Sequence, residues 1–337
     1  MNKKPCPYCE PYPAQHKQEW LGYFIEEANN QIERLFGRVK TSWDVEDRVM
    51  SLLVRLLCLS RAGRFTALLD DQPDLVSKYK YLYQQARQSG FTVERFNLFG
   101  RPTTTYRVCR QGRKQVFDQV PTSEKHPNQQ WFVDDKPLFK RFLQQGGHPI
   151  PKGDAFVRWS RASKFADLIG FPLVVKPARG SLSKHTFYPV HDQNEFQRAW
   201  RIAKQVSPVV LVEEYVPGTI YRATTVCNQL LAAASRYPAQ EGADGVAKVI
   251  VAAGAKIVDV TDSVHPENKK MFEEISEQLG GVLLGLDIIA EDLSRPWTEQ
   301  RFVFIEGNSF PAIEMHHEPD EGQSRNVAGA IWERLDL

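Results

Sequence analysis

Gly285-Leu286-Asp287-Ile288-Ile289 and, after a short polar excursion, Phe302-Val303-Phe304-Ile305-Glu306-Gly307-Asn308 are two apolar runs that both carry acceptor oxygens. Both read as strands. Residues two apart on a strand point to the same face, so Glu306 and Asn308 can share a ligand while Gly307 points away. Asp287 adds a second carboxylate from the neighbouring run. Two carboxylates and an amide oxygen make a hard-oxygen set, which suits Mg²⁺ and a phosphate attached to it. The plainer alternative is a pair of hairpin strands with solvated acids.

Upstream runs supply cations of the kind a phosphate needs. Leu173-Val174-Val175-Lys176-Pro177 reads as a buried strand ending on a lysine. A lysine there is badly placed for a core and well placed to reach a phosphate at the strand's carboxyl end. The alternative is an edge lysine with its head in water. The loop Ala178-Arg179-Gly180-Ser181-Leu182-Ser183-Lys184-His185-Thr186 has small and basic residues, and its backbone N–H groups can cradle phosphate. A surface turn has the same composition. Leu211-Val212-Glu213-Glu214-Tyr215-Val216-Pro217-Gly218 runs from a buried strand into an irregular segment that can offer backbone groups to an adenine edge. A plain strand end with exposed acids is the commoner meaning of that pattern.

The 337 residues allow two or three packed units. Charged residues at 25% and hydrophobic residues at 42% are ordinary for a globular protein. A net charge of +2 argues for no nucleic-acid partner. No apolar run approaches membrane-spanning length, and the start lacks the apolar core of a signal peptide. Five cysteines in so long a chain suggest no disulfide framework. A cytoplasmic protein, free of the membrane, is the default expectation.

Residues 1–15 read as a flexible tail. From about Gln18 to Leu69 the spacing of Trp20, Phe24, Ile25, Ala28, Ile32 and Leu35, then of Val45, Val49, Leu52, Leu53 and Leu56, predicts helices. A further helix covers Leu75–Ser89, Phe91–Phe96 alternates like a strand, and Thr103–Cys109 with Lys114–Phe117 form a hairpin about Gln111-Gly112-Arg113. Beyond Asp135 come helices over Lys136–Gln145, Arg161–Ile169, Asn194–Gln205 and Glu267–Leu279. Strands lie near Phe187–Val190, Val209–Glu213, Tyr221–Val226, Leu230–Arg236 and Ala247–Val251. The class is α+β or mixed α/β.

Two histidine- or cysteine-bearing motifs stand outside this pattern. Cys6-Pro7-Tyr8-Cys9 has C-x-x-C spacing, but one pair is only half a zinc site, and no second pair follows. His16 can add a third ligand. As a redox motif it lacks a preceding strand, so two reduced thiols on a tail is the plainer reading. His316-His317 point in diverging directions, which favours a surface or substrate-facing loop over a metal site.

The order of these signals is more specific than any one of them. Asp135-Lys136, Val174-Val175-Lys176-Pro177, Val212 to Gly218, Asp287 and Ile305-Glu306-Gly307-Asn308 together resemble the ATP-grasp superfamily, and within it the ATP-grasp region of cyanophycin synthetases. Tyr221-Arg222, Arg236-Tyr237-Pro238-Ala239, Val258 to Pro266, Ser294 to Glu299, and Met315-His316 with Glu318 to Val327 look like that group in particular. The resemblance covers roughly residues 131–335. It implies two α+β halves clasping ATP, residues 131–212 (with the lid) and 213–337, preceded by a helix-rich unit with some strand at 16–130.

By that resemblance Lys136 and Lys176 contact ATP phosphates, and Ser181, Ser183 and Lys184 belong to the phosphate loop. Glu213, Glu214, Tyr215 and Val216 line the adenine. Asp287, Glu306 and Asn308 hold one or two Mg²⁺ ions, and Arg222 and Arg236 steady an acyl phosphate or the substrate carboxylate. The implied activity is ATP-dependent ligation of a carboxylate to an amine, an amino acid or short peptide among them. Relatives often form dimers or tetramers, which admits a homo-oligomer.

Three departures accompany the resemblance. The phosphate loop has a single glycine, Ile220 stands where an acid usually binds ribose, and only Glu241–Ile257 fills the place of a long insertion. The ligase module that follows in cyanophycin synthetases has no counterpart before Leu337, so a smaller or different substrate pair is expected. The altered loop and Ile220 also admit a catalytically weak nucleotide-binding partner protein. The C-x-x-C admits a redox or metal protein.

Overall fold

The computed structural model describes residues 6–9, 16–24, 43–68, 77–126, 132–179, 184–238 and 255–335. Its strands form three sheets, and every named strand pair is antiparallel.

The first sheet follows helix α1 (Trp43–Leu59). It is a meander of β1 (Gly63–Ala67), β2 (Thr92–Leu98), β3 (Arg101–Arg110) and β4 (Arg113–Asp118), with α2 (Ser77–Gln88) inserted after β1. Gln111 and Gly112 both have positive φ, 52° and 81°, as the tight two-residue turn of a right-twisted hairpin requires. The expected helical texture up to Leu69 breaks earlier, because Gly63–Ala67 pairs with β2. A side chain at Gly63 would run into the Phe96 ring, so glycine is what lets this strand dock. The helix predicted from the spacing of Val45, Val49, Leu52, Leu53 and Leu56 forms as α1, with Val49, Leu52, Leu53 and Leu56 more than half exposed and Val54 buried.

This unit is not independent of the chain's far end. The helix α8 (Val327–Arg334) buries Val327, Ile331 and Trp332 in one core with Leu82, Tyr83, Phe91, Tyr106 and Phe117. The Trp332 indole donates to the Leu82 carbonyl at 2.8 Å.

The second sheet has the order β5-β8-β6-β7, from β5 (Gly153–Phe156), β6 (Leu173–Pro177), β7 (Phe187–Val190) and β8 (Val210–Glu214). Helices α4 (Trp159–Ile169) and α5 (Gln193–Ala203) pack Ala162, Ala166, Phe196 and Trp200 onto Leu173, Val175 and Val212. The expected boundary at residue 212 therefore cuts through β8, and the chain changes sheets between Glu214 and Thr219.

The third sheet has the order β11-β10-β9-β12-β13, from β9 (Thr219–Val226), β10 (Gln229–Tyr237), β11 (Lys256–Asp259), β12 (Leu283–Ala290) and β13 (Phe302–Asn308). Helices α3 (Lys136–Gln145) and α6 (Pro266–Leu279) cover it with Phe139, Leu143, Phe272 and Ile275 against Leu286, Ile288 and Phe304. Each such large apolar side chain, fully buried, is worth about 1.5–3 kcal/mol. The strand expected at Ala247–Val251 lies outside the described residues. Among those residues, no helix is long and apolar enough to cross a membrane.

Candidate active site

The opening pair of strands comes together as β12 and β13, with Asp287 directly opposite Glu306. Arg222 on β9 lies opposite Asp287 on its other side. Arg236 on β10 is one diagonal step beyond, since Ala234 faces Arg222 and Arg236 faces Ile220. Directly opposed residues of antiparallel strands share a face. Arg236, Arg222, Asp287 and Glu306 thus form a row across four adjacent strands, and Asn308, two residues beyond Glu306, continues it.

Asp287 is 3% exposed and fully engaged. Arg222 donates to it through Nε and, at 2.9 Å, through Nη2. Arg236 Nη2 lies 2.8 Å from Oδ1. Burial alone would raise the Asp287 carboxyl, but the two guanidinium charges outweigh it and hold the group well below the usual carboxylate range. The Glu306 carboxylate stands on the same face, directly across the strand pair from Asp287. Glu306, with the Asn308 amide beside it, offers hard oxygens that fit a divalent cation, whereas Asp287, expected as a third ligand, has both oxygens taken by the two guanidiniums and stands behind them.

Three buried donors in this row lack a hydrogen-bond partner: Arg222 Nη1, Arg236 Nε and Asn308 Nδ2. Leaving such a donor unpaired costs about 1–3 kcal/mol. An anion laid on this face would remove that cost. Gly285 keeps the space open, because a Cβ there would stand 3.0 Å from Arg222 Nη1 and closer still to Pro311. Beside the row, the Glu314 carboxyl is pushed up by burial, and its Oε2 has no hydrogen-bond partner.

A second charged group lies on the other sheet. Lys176 is the penultimate residue of β6, 6% exposed, with Nζ 2.9 Å from Glu213 Oε2 on β8. Lys140, which the sequence reading did not single out, pairs with Glu213 Oε1. Burial lowers Lys140 to about 8 against the opposing pull of Glu213. For Glu213, burial raises the carboxyl, but the two lysines outweigh it and leave it lowered. Lys136, one turn earlier on α3, lies 3.3 Å from Glu306 on β13. Residues four apart on a helix share a face, so α3 gives one lysine to each sheet. That i, i+4 spacing was the available signal for Lys140. Asp135 caps α3 by accepting from the Leu138 N–H at 3.1 Å, and also holds Arg179 at 2.7 Å.

The remaining predicted positions lie as follows. Glu214 turns to Lys152 N–H at 2.9 Å and Arg301 at 2.6 Å. Tyr215 N–H donates to the Pro172 carbonyl at 3.0 Å, and Val216 is buried. Lys184 is half-buried just before His185. Ser181 and Ser183 lie outside the described residues. The looplike reading of His316-His317 is corrected, since both sit in α7 (Glu314–His317). His316 is buried 2.8 Å from Thr224 Oγ1 and lowered by burial to about 3. His317 stacks on Tyr81 and accepts from the Ala328 N–H at 3.2 Å. Both therefore serve packing.

One further residue comes from the first unit. Lys78 on α2 donates to the Phe310 carbonyl at 3.0 Å, and burial lowers it against the attraction of Glu314 and Asp134. No sequence motif marked it.

Two α+β halves with a lysine-bearing helix between their sheets define the ATP-grasp fold. A solved bifunctional glutathione synthetase from Pasteurella multocida superposes with a TM-score of 0.54 at 19% identity, covering 78% of this chain and 43% of that one. In sequence the chain is similar to the cyanophycin synthetase of Nostoc sp., at 27% identity over 259 residues, covering 60% of this chain and 29% of that one. It is also similar to the glutathione biosynthesis bifunctional protein GshAB of Mannheimia succiniciproducens, at 26% identity over 270 residues, with 60% and 36% covered. The chain thus spans little more than a third, or less, of these two relatives' length. No protein-family model matches it.

Proposed function

We propose that this protein is an ATP- and Mg²⁺-dependent carboxylate–amine ligase that forms an amide or peptide bond and releases ADP and phosphate. The observation that carries this reading is the set of unpaired buried donors on Arg222 and Arg236, on the sheet that also bears Glu306 and Asn308. Five cations (Lys136, Lys140, Lys176, Arg222, Arg236) surround three carboxylates (Glu213, Asp287, Glu306), which leaves excess positive charge for a polyphosphate. Two of the similar proteins, the cyanophycin synthetase and the bifunctional glutathione synthetase, are synthetases by name, which accords with this reading.

Phosphoryl transfer to a carboxylate brings two anions together, so catalysis consists mostly of neutralising and aligning charge. Lys136, Lys140 and Lys176 hold the ATP phosphates, and the strand end from Glu213 to Val216 meets the adenine with backbone groups. Arg222 and Arg236 present planar two-point contacts to the substrate carboxylate. The carboxylate oxygen attacks the γ-phosphorus and ADP departs with the bond electrons. The amine then attacks the acyl carbon and phosphate leaves. Glu314, with its unpartnered oxygen and raised affinity for a proton, is the candidate to take the amine's proton. Glu306 and Asn308, with Asp287 behind them, would hold Mg²⁺, which when bound neutralises phosphate charge. The substrates in this reading are an amino acid or short peptide on each side.

The test is mass spectrometry of products after incubation with ATP, Mg²⁺ and pooled amino acids and short peptides, with ADP measured in parallel. ADP release that requires both an acid and an amine is the expected result. A broad panel giving no ADP above background would sink the ligase reading. ATP binding with no such turnover would favour the nucleotide-binding partner protein instead.

A further inference from the structure

We propose that Cys6, Cys9, His16 and His185 form a structural zinc site that pins the chain's N-terminal residues to the far end of the candidate phosphate loop. The expectation of a flexible tail does not hold for residues 6–9. They form a 3₁₀ turn, with the Cys9 N–H donating to the Cys6 carbonyl at 3.1 Å and Cys9 fully buried. With about three residues per turn, positions i and i+3 eclipse, so the C-x-x-C presents both thiols to one side.

The fourth ligand is the one the linear reading lacked. Cys9 Sγ lies 3.2 Å from His185 Nε2 and 3.3 Å from His16 Nε2, and Cys6 Sγ lies 3.6 Å from His185 Nε2. All four ligand atoms fall within 4.8 Å of one another. A tetrahedral zinc with Zn–S of about 2.3 Å and Zn–N of about 2.0–2.1 Å has sulfur-to-nitrogen edges of about 3.5 Å. The observed separations cluster about that edge.

Three features around the ligands support a built site. His185 Nδ1 is 2.8 Å from the Ile202 carbonyl oxygen. A carbonyl only accepts, so Nδ1 carries the proton and Nε2 is left with its lone pair toward the thiols, as metal-bound histidines are commonly oriented. His185 adopts φ 54°, a left-handed conformation uncommon outside glycine and found where surrounding structure enforces it. The Tyr8 carbonyl accepts from the His185 N–H at 3.2 Å, and the Tyr8 ring packs on both His185 and Phe187. Neither cysteine is in a disulfide.

Two thiolates and two imidazoles select zinc over hard cations such as Mg²⁺. Four protein ligands leave no open position for water, so the site is structural and not catalytic. This inference does not rest on the ligase reading, because zinc content is measured without turnover.

The test is metal analysis of the full chain purified without added chelator. About one zinc per chain is expected, with Cys9→Ser and His185→Ala each losing most of it and His16→Cys keeping it. Substoichiometric metal in the natural chain, a Cys6–Cys9 disulfide in its place, or zinc retained in both loss variants would overturn the proposal. Should those variants fail to fold, cobalt exchange into the natural chain decides instead. The intense visible bands of tetrahedral, thiolate-ligated Co²⁺ support the site, and the weak spectrum of an octahedral ion removes it.

Discussion

Lys140–Glu213–Lys176 and Arg222–Asp287–Arg236 are both a buried acid held between two cations, one on each sheet, yet they differ in what the cations can do. Lysine is a point charge on a flexible stem, and burial shifts it readily. Lys140 accordingly falls to about 8. Guanidinium stays charged, and its planar fork matches a carboxylate. Arg222 and Arg236 grip Asp287 and still keep N–H groups unpaired. The lysine group suits phosphates that arrive and leave. The arginine group suits one fixed geometry, with Asp287 as the internal anion that orients the forks.

The comparison breaks most visibly at Asp287. Asp287→Asn leaves two buried guanidiniums short of their counter-charge, with an expected cost of about 3–5 kcal/mol in denaturant unfolding. The same pairing fixes the acid limb of stability. The folded carboxyl lies below its unfolded value, so the contribution is complete above an unfolded value of about 4 and is lost as pH falls through the folded one. A variant as stable as the natural chain would remove Asp287 from its anchoring role.

Glu306→Gln comes next. It keeps the size of a side chain that faces Lys136 but removes its charge, and ADP release should fall about 10²–10³-fold, on the scale of losing one charge-stabilising contact. Unchanged turnover would remove Glu306 from the metal set.

The smallest effect separates the lysine group from the arginine group by pH. Lys140 is charged below its lowered value and neutral above it, so the apparent KM for ATP should climb severalfold as pH rises past about 8. Lys140→Arg stays charged and should flatten that rise. A flat profile in the natural chain would show that Lys140 does not bear on ATP.

Much of the candidate site's local structure was legible before the fold was known. Asp287, Glu306, Asn308, Lys136 and Lys176 stand in short runs whose period-two or helical spacing declares strand or helix from neighbours alone. Lys140 and His185 were not legible as partners. Lys140 is one more lysine on a polar helix face until α3 is docked, and His185 is one loop residue among several until Cys9 is folded onto it.

The sequence by itself determined the order of elements, the acids on two strands and the lysines before them, because local periodicity depends only on adjacent residues. Only the tertiary structure decided which charges meet. Arg222 and Asp287 are 65 residues apart, and Cys9 and His185 are 176 apart. Strand register and helix docking bring such pairs together, and both are set by burial of apolar faces, such as Phe139 of α3 against β13 and Trp332 of α8 against α2, contacts that no local window contains.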